Sequence, residues 1–507
     1  DYHALWIDPA DPNHLVLGCD GGLNYSFDRG ATWERLMNLP VAQFYAIGVD
    51  MQKPYRVYGG LQDNGTWGAP SATRDSGGIT LADWVNLLGF DGYYCQIDPD
   101  DPNIVFCEGQ YGMLRRIELK TWVKYDIKPR LVTREWDTNI RPKPGVGTPE
   151  FRFNWSSPIL MSPHNPKTIF YAANRLFRSD DRGDTWRIIS PDLTRGKPGP
   201  NDYRGHTITT IAESPLQAGL LYVGTDDGNI HMTRNGGKNW LDLTDTLPDL
   251  PKDRWISRVE ASRHQQGVVY LAVDRHRNDD RAPYLLRSDD FGQSWTSLGG
   301  NLPTGGPIHA LREDPLNPDL LYAGTEFGLF VSVDAGFTWH KQKHLPTVPV
   351  HDLVVHPRDR ELVIATHGRG IYIMDVCPLQ ELTSRARAQP VHLCDIRPAQ
   401  SYRQIALRKL GSKSYAGANP PYGAGFTFYL RDEPPTAPQL TITDSQGKKV
   451  MELSGARQAG LQRVQWDLNR AGAKSDEYDP VPSGHYIANL RVGARMIRKS
   501  FEVQTEE

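Results

Sequence analysis

One pattern recurs along this chain and constrains its fold more than any other feature. An apolar run ends in Asp or Ser (His in the last copy), usually with Pro behind it, and a second apolar run follows. The openers are His3–Asp8, Tyr45–Asp50, Tyr93–Asp98, Ser157–Ser162, Thr209–Ser214, Ser257–Ser262, His309–Asp314 and His351–His356, eight copies spaced 42 to 64 residues apart. Turns such as Pro102-Asn103 and Asn317-Pro318 come next, then strands ending Tyr222-Val-Gly-Thr225, Tyr322-Ala-Gly-Thr325 and Ile364-Ala-Thr366. A period of this length, with four short strands in each unit, predicts a β-propeller.

A tighter motif, Ser-x-Asp-x-Gly-x-Thr-Trp, lies inside many copies. It reads Ser26/Asp28/Gly30/Thr32/Trp33, Ser179/Asp181/Gly183/Thr185/Trp186 and Ser332/Asp334/Gly336/Thr338/Trp339. Ser288/Asp290/Gly292/Ser294/Trp295 carries one conservative change, and Thr233/Asn235/Gly237/Asn239/Trp240 is degenerate. Asp and Ser can bond the turn's own N–H groups, Gly takes the positive φ, and Trp packs back between blades. These residues read as structural. The motif is the Asp-box (BNR) turn, and on it residues 1 to about 375 resemble the Asp-box propeller superfamily. That group includes sialidases, xyloglucanase-type glycoside hydrolases, sortilin-type receptors and a photosystem assembly factor. Gly60-Leu-Gln-Asp-Asn-Gly65 and Thr366-His-Gly-Arg-Gly370 are also similar to a bacterial family labelled glycosyl hydrolase or sortilin-like. The motif specifies fold well and function poorly.

The expected fold is all-β, a seven- or eight-bladed propeller over 1–375 followed by a small sandwich. The last copy, 351–375, has three strands and no Asp-box, and residue 1 already opens an inner strand. The closing strand is therefore expected from upstream sequence or another chain, and this chain reads as part of something longer. Residues 376–425 read as an irregular, packed linker. From 426 to 507 short alternating strands predict a β-sandwich. Through Gly460-Leu-Gln-Arg-Val-Gln-Trp466-Asp467 and Val481-Pro-Ser-Gly484-His-Tyr486 it resembles the immunoglobulin-like domain of flagellar hook-capping proteins.

Composition excludes some classes. At 507 residues the chain exceeds one ordinary core, and no apolar stretch is long enough for a membrane helix. A net charge of −3 without a dense basic run disfavours nucleic-acid binding. The resemblance implies a periplasmic or extracellular location.

Strand order assigns the chemistry to one face. With strands A to D in each blade, the Asp-boxes join C to D on one side. The B–C turns and the starts of the A strands meet on the other. That face collects Gln62, Asp63, Asn64, Asp226, Asp227, Glu326, His367 and Arg369 from turns, and Tyr45, Tyr93, His309 and His351 from strand starts. Trp155 and Trp255 stand just before their openers, and long connections at about 127–155 and 190–206 overhang. Aromatics beside carboxylates suit sugar rings, while Asp-Gly and Asn-Gly also simply make good turns.

Two readings follow. The first is a recognition or scaffold protein binding a glycan or a protein ligand at this rim. The second is an inverting glycoside hydrolase of xyloglucanase-like type acting on β-glucan. It needs an acid and a base about 6.5–9.5 Å apart, with Asp63, Asp227 and Glu326 as candidates. In xyloglucanase-like relatives these come from opposite propellers, so this chain would hold one. A sialidase fits less well, since no Arg-Ile-Pro segment is found. No cofactor is expected and no metal site assigned; Asp226-Asp227-Gly228 could touch Ca²⁺ without forming a full calcium loop. Cys95 falls opposite Cys107, and Cys377 and Cys394 flank the linker. Either pair could form a disulfide or stay reduced.

Overall fold

The computed structural model describes residues 1–130, 151–200, 202, 204–248, 250–407, 411–472 and 479–505. It resolves into two compact units. The first comprises Asp1–Ser71, Leu81–Met374 and Ser412–Tyr415; the second comprises Ala72–Thr80, Asp375–Gly411 and Ala416–Glu507.

The first unit is built from antiparallel sheets, each paired in sequence order from its innermost strand outward. Six four-stranded sheets span 44–88, 92–126, 159–188, 208–242, 255–297 and 308–341, and a three-stranded sheet spans 350–375. They are blades 1 to 7 of a ring, because the inner strand of blade 7 (Val350–His356) packs on the inner strand of blade 1 (Phe44–Val49). At this closure Val363 and Ala365 join Phe44, Ile47, Val57 and Leu61 in one apolar cluster. The Asp352 carboxylate accepts the Ile47 N–H at 3.1 Å, and the Tyr55 hydroxyl donates to Glu361 at 2.8 Å. His356 reaches the Asp50 carbonyl at 2.9 Å, and Gly368 N–H bonds the Ala42 carbonyl at 2.9 Å.

Eight sequence copies thus give seven blades. The first copy, a four-stranded sheet over 2–35, is not part of this ring. Its inner strand Tyr2–Ile7 is exposed at every residue, whereas the inner strands of the ring are largely buried. Close packing between blades 1 and 2 depends on absent side chains. A Cβ at Gly48 would run into the Cys95 carbonyl, and one at Gly60 into the Tyr93 backbone.

The Ser-x-Asp-x-Gly-x-Thr-Trp turns repeat one hydrogen-bond scheme. The serine hydroxyl donates to the aspartate at 2.7 Å in all four full copies, Asp28, Asp181, Asp290 and Asp334. The other oxygen of that carboxylate accepts the hydroxyl of Thr32, Thr185, Ser294 or Thr338 at 2.6 Å. These bonds hold the Asp290 carboxyl down at about 2. The turn also needs a positive φ one residue before the glycine, at Arg29, Arg182, Phe291 and Ala335. In the ring each tryptophan then reaches back to the preceding blade. Trp186 donates to the Ile127 carbonyl at 2.7 Å, Trp339 to Leu298 at 3.0 Å, and Trp295 to the Thr246 hydroxyl at 3.0 Å. Trp33, on the sheet outside the ring, is 41% exposed, against 2% for Trp339.

In the second unit a three-stranded sheet (Val391–Leu393, Ala424–Leu430, Gly460–Trp466) and a five-stranded sheet share one core. Phe426, Phe428, Leu440, Ile442, Trp466, Tyr486, Phe501 and Val503 fill it, giving a two-layer β-sandwich. The segment 376–425, expected to be irregular throughout, is so only in part. It supplies strands Val391–Leu393 and Ala399–Ser401 to the two sheets, and two short helices, α1 (Cys377–Glu381) and α2 (Ser384–Ala388). Strands of three residues leave too little alternation to be seen in sequence. Among the described residues no helix is long and apolar enough to cross a membrane.

The two environments of one motif tryptophan give a direct test. Trp339→Ala should cost about 3–5 kcal/mol, and Trp33→Ala less than about 1 kcal/mol. Urea unfolding of the whole chain, followed by far-UV circular dichroism, measures both.

Candidate functional site

In six of the seven blades, all but blade 3, the start of the inner strand carries a local irregularity that sets residues apart from the ladder. In blade 1 Phe44 pairs Leu61 and Ala46 pairs Gly60, so Tyr45 is an extra residue in a bulge. The same shift sets apart Thr209, Ser257, His309 and His351, and in blade 2 Tyr93 with Tyr94. Bulges re-aim side chains while the ladder continues on either side. The B–C turns end on the same face, because antiparallel pairing places them beside the A-strand starts.

Across blades 2, 1, 7 and 6 these positions form a continuous arc of rings. Tyr93 and Tyr45 have centroids 4.6 Å apart, and Tyr45 and His367 5.1 Å. His367 stacks on His351 at 4.3 Å with planes 8° apart, and His351 lies 4.7 Å from His309. Polar partners border the arc. Tyr45 donates to Gln62 Oε1 at 2.8 Å, and His309 Nε2 meets Glu326 at 3.0 Å. Asp274 lies 3.8 Å from His309 Nδ1 and bonds His276 Nδ1 at 2.7 Å. The Arg277 guanidinium covers the Trp255 ring at 4.6 Å.

Burial and proximity shift the acidities. Burial, then the neighbouring histidines, pushes His351 well below the usual imidazole range, and burial lowers His367 too. Burial, then Asp91 and Asp63, raises the Tyr45 phenol to about 12. The hydrogen bond with His309 lowers the Glu326 carboxyl, and Asp274 is held low by His276 against the opposing effect of burial. Asp63 is raised by partial desolvation, then by Asp91 and Asp20. It is exposed at the turn tip with φ +59°, and its N–H donates to Asp91 at 2.7 Å. The arc thus places Tyr45 and the imidazoles of His367, His351 and His309 side by side, the first two imidazoles favoured neutral, with the Glu326 and Asp274 carboxylates at one edge and Tyr93 buried behind Tyr45. Such a surface stacks on apolar ring faces and hydrogen-bonds hydroxyls.

The other sequence candidates lie apart or do different work. Asp227, a candidate acid or base, and Asp226, a candidate ligand contact, are fully buried. Asp226 accepts the N–H groups of Thr207 at 2.7 Å and Gly205 at 2.9 Å, and Asp227 accepts the Arg195 N–H at 2.7 Å. Both carboxylates therefore anchor the connection at 190–206 instead of facing a ligand. Burial, then Asp227, pushes Asp226 up to about 6. The N–H donors directed at these oxygens also argue against the Ca²⁺ contact at Asp226-Asp227-Gly228. Trp155, 42% exposed, pairs edge-on with Tyr111 at 4.6 Å, a separate aromatic pair at the same end of the ring. Asn64 donates to the Asp20 and Gln62 carbonyls at 2.9 Å, and Arg369 is exposed next to His367. Much of the connection at about 127–155 lies outside the described residues.

Tyr111, Asp91, His276 and Arg277, which lie beside these residues, were not among the candidates drawn from the sequence. Tyr111 follows the turn residue Gln110 in blade 2, where a B–C turn was already expected. Cys95 does pair opposite Cys107, with the sulfurs 3.6 Å apart as free thiols.

No family model matches the chain. It is 30% identical over 149 residues to a xyloglucanase of Hypocrea jecorina (strain QM6a), which takes in 27% of this chain and 18% of the relative. Identity is 30% over 156 residues to a xyloglucanase of Paenibacillus sp, 28% of this chain and 15% of the relative. An oligoxyloglucan-reducing end-specific xyloglucanase of Emericella nidulans is 25% identical over 183 residues, 33% of this chain and 23% of the relative. The chain thus spans less than a quarter of the length of these curated relatives. Among solved structures, the extracellular domain of BT3049 from B. thetaiotaomicron has a TM-score of 0.45 and 12% identity, covering 99% of this chain and 61% of that one. YCF48 bound to D1 peptide has a TM-score of 0.37 and 13% identity, covering 74% of this chain and 91% of that one.

The histidine arc predicts a pH response. A histidine with a lowered folded value stabilises fully above its unfolded value and loses that contribution as pH falls below about 6.5. His351→Asn should therefore flatten the fall in melting temperature between about pH 7 and about pH 5. Parallel thermal scans of the two proteins measure the difference in slope.

Proposed function

We propose that this propeller is an extracytoplasmic recognition module that binds a glycan chain across the arc formed by Tyr45, His367, His351 and His309, with Tyr93, 1% exposed, packed against Tyr45 as support. The observation that carries this reading is the continuity of the arc, with Glu326, Gln62 and Asp63 bordering it. Sugar rings present C–H faces for stacking and hydroxyls for carboxylates, amides and imidazoles. The similarity to xyloglucanases supports a β-glucan as the chain bound. The exposed strand Tyr2–Ile7, with Tyr2 79% and Trp6 50% exposed, supports a cover from upstream blades or from another protein subunit.

A second reading is favoured by one observation. Asp63 is exposed at the same face with its carboxyl raised, as suits a general acid. An inverting glycoside hydrolase could be completed by a base from a facing second propeller. Glu326, lowered by its bond to His309, remains the carboxylate of this chain best suited to contact substrate hydroxyls in either reading.

Calorimetry with xyloglucan oligosaccharides tests both. Tyr45→Ala and His367→Ala should each weaken binding about tenfold, about 1.4 kcal/mol, and undiminished affinity in both would remove the arc from the interface. Asp63→Asn should bind as the parent protein does. If the parent releases new reducing ends and Asp63→Asn does not, the hydrolase reading replaces the recognition reading.

A further inference from the structure

The second unit contains a group of donor atoms unrelated to the propeller face. Cys377 and Glu381 stand four residues apart in α1 and so share one side of that turn. His392 lies in the strand Val391–Leu393, and Cys394 follows two residues later, on the same side of the extended chain. Among the described residues, Glu381, His392 and Cys394 are the only set of three or more whose possible metal-binding atoms all lie within 4.8 Å of one another. His392 Nε2 is 3.2 Å from Glu381 Oε2, and Cys377 Sγ is 3.6 Å from Glu381 Oε1. Cys394 is wholly buried and Cys377 is 3% exposed.

We propose that Glu381, His392 and Cys394 hold a structural Zn²⁺ ion through one oxygen, one nitrogen and one sulfur, and that Cys377, bonded to Glu381 but outside that mutual cluster, turns in to supply a second sulfur as the fourth ligand. Zinc in a closed site takes four ligands tetrahedrally, with sulfur at about 2.3 Å and nitrogen or oxygen at about 2.0–2.2 Å. Those lengths separate neighbouring ligand atoms by about 3.3–3.8 Å, close to the two separations above. An acid cluster that attracts only hard cations would lack sulfur, whereas thiolate with imidazole selects zinc.

The surroundings fit such a centre. Both Glu381 oxygens accept the Asp395 N–H, at 2.9 and 3.1 Å, which orients the carboxylate. Burial acts to raise Glu381, but the bonds from His392 and Asp395 and the Lys499 ammonium hold it ionised. Binding would release one proton from each thiol, with His392 donating a lone pair from Nε2. Two thiolates and one carboxylate outweigh the ion by one negative charge. Lys499, 3.6 Å from Glu381 Oε2 and paired also with the Asp395 carboxylate, offsets part of that excess. The site would tie the start of the segment after blade 7 to the first strand of the sandwich, two elements too short to hold each other by a ladder.

The test uses the full chain, purified with reductant, stripped with chelator and titrated with Zn²⁺ or Co²⁺. The expected result is one zinc retained per chain after gel filtration. Co²⁺ should give a thiolate-to-metal charge-transfer band with the intense visible bands of tetrahedral cobalt. His392→Gln and Cys394→Ser should lose zinc and band alike, and Cys19→Ser should keep both. If Cys394→Ser does not fold, His392→Gln and Glu381→Gln, at partly exposed positions, decide the matter. Retention of no zinc by the parent would overturn the site, as would undiminished zinc in His392→Gln. So would a Cys377–Cys394 disulfide in peptides mapped without reductant.

Discussion

The ring exists because blade 7 meets blade 1, and that junction is made by side chains and a few backbone hydrogen bonds at its rim instead of a shared strand. Seven sheets radiating from an axis bury their faces only if the last packs on the first, and closing so long a segment carries an entropic cost that local contacts must offset. Here the junction combines apolar packing of Val363 and Ala365 on Phe44 and Ile47 with polar ties to backbone groups that would otherwise lack partners. Asp352 has two roles. One oxygen accepts the Ile47 N–H across the junction, and the other binds Arg258 at 2.9 Å and Arg312 at 3.1 Å from blades 5 and 6. Arg312 in turn pairs Glu260 at 3.1 Å. A buried carboxylate with three donors is a strong constraint on geometry and costly to break by removing one partner.

The candidate site depends on the same junction. Tyr45 belongs to blade 1 and His367 and His351 to blade 7, so the arc of rings crosses the place where the circle closes. Neither half presents a binding surface alone. Local loss of the junction would separate Tyr45 from His367 and His351 and so break the arc of rings.

Much of this was legible in the residues and some was not, for identifiable reasons. The repeat and the Ser-x-Asp-x-Gly-x-Thr-Trp turns specify the sheets because each turn satisfies itself locally. The face carrying the polar groups followed from strand order alone. Membership of the ring did not, because His3–Asp8 obeys the same pattern as the seven inner strands and differs only in having nothing packed against it. Asp63 and Asp227 both sit in glycine-containing turns, two residues before Gly65 and directly before Gly228. What separates them is the connection at 190–206, whose Arg195 N–H is directed at Asp227 from far away in sequence. The strand-start bulges were hidden as well, since an extra residue in an apolar run leaves its composition unchanged.

Those bulges have a consequence for how such a protein can change. A residue in the regular ladder is bound to its neighbours by pleat and pairing, so exchanging it disturbs the face on which it lies. The extra residue stands outside that bookkeeping. Its position holds three kinds of polar side chain, a phenol at Tyr45, small hydroxyls at Thr209 and Ser257, and imidazoles at His309 and His351. Yet each is tied to a neighbouring blade, by ring contact at Tyr45, His309 and His351 and by a hydroxyl bond to the next inner strand at Thr209 and Ser257, so a change at one blade is felt by the blade beside it.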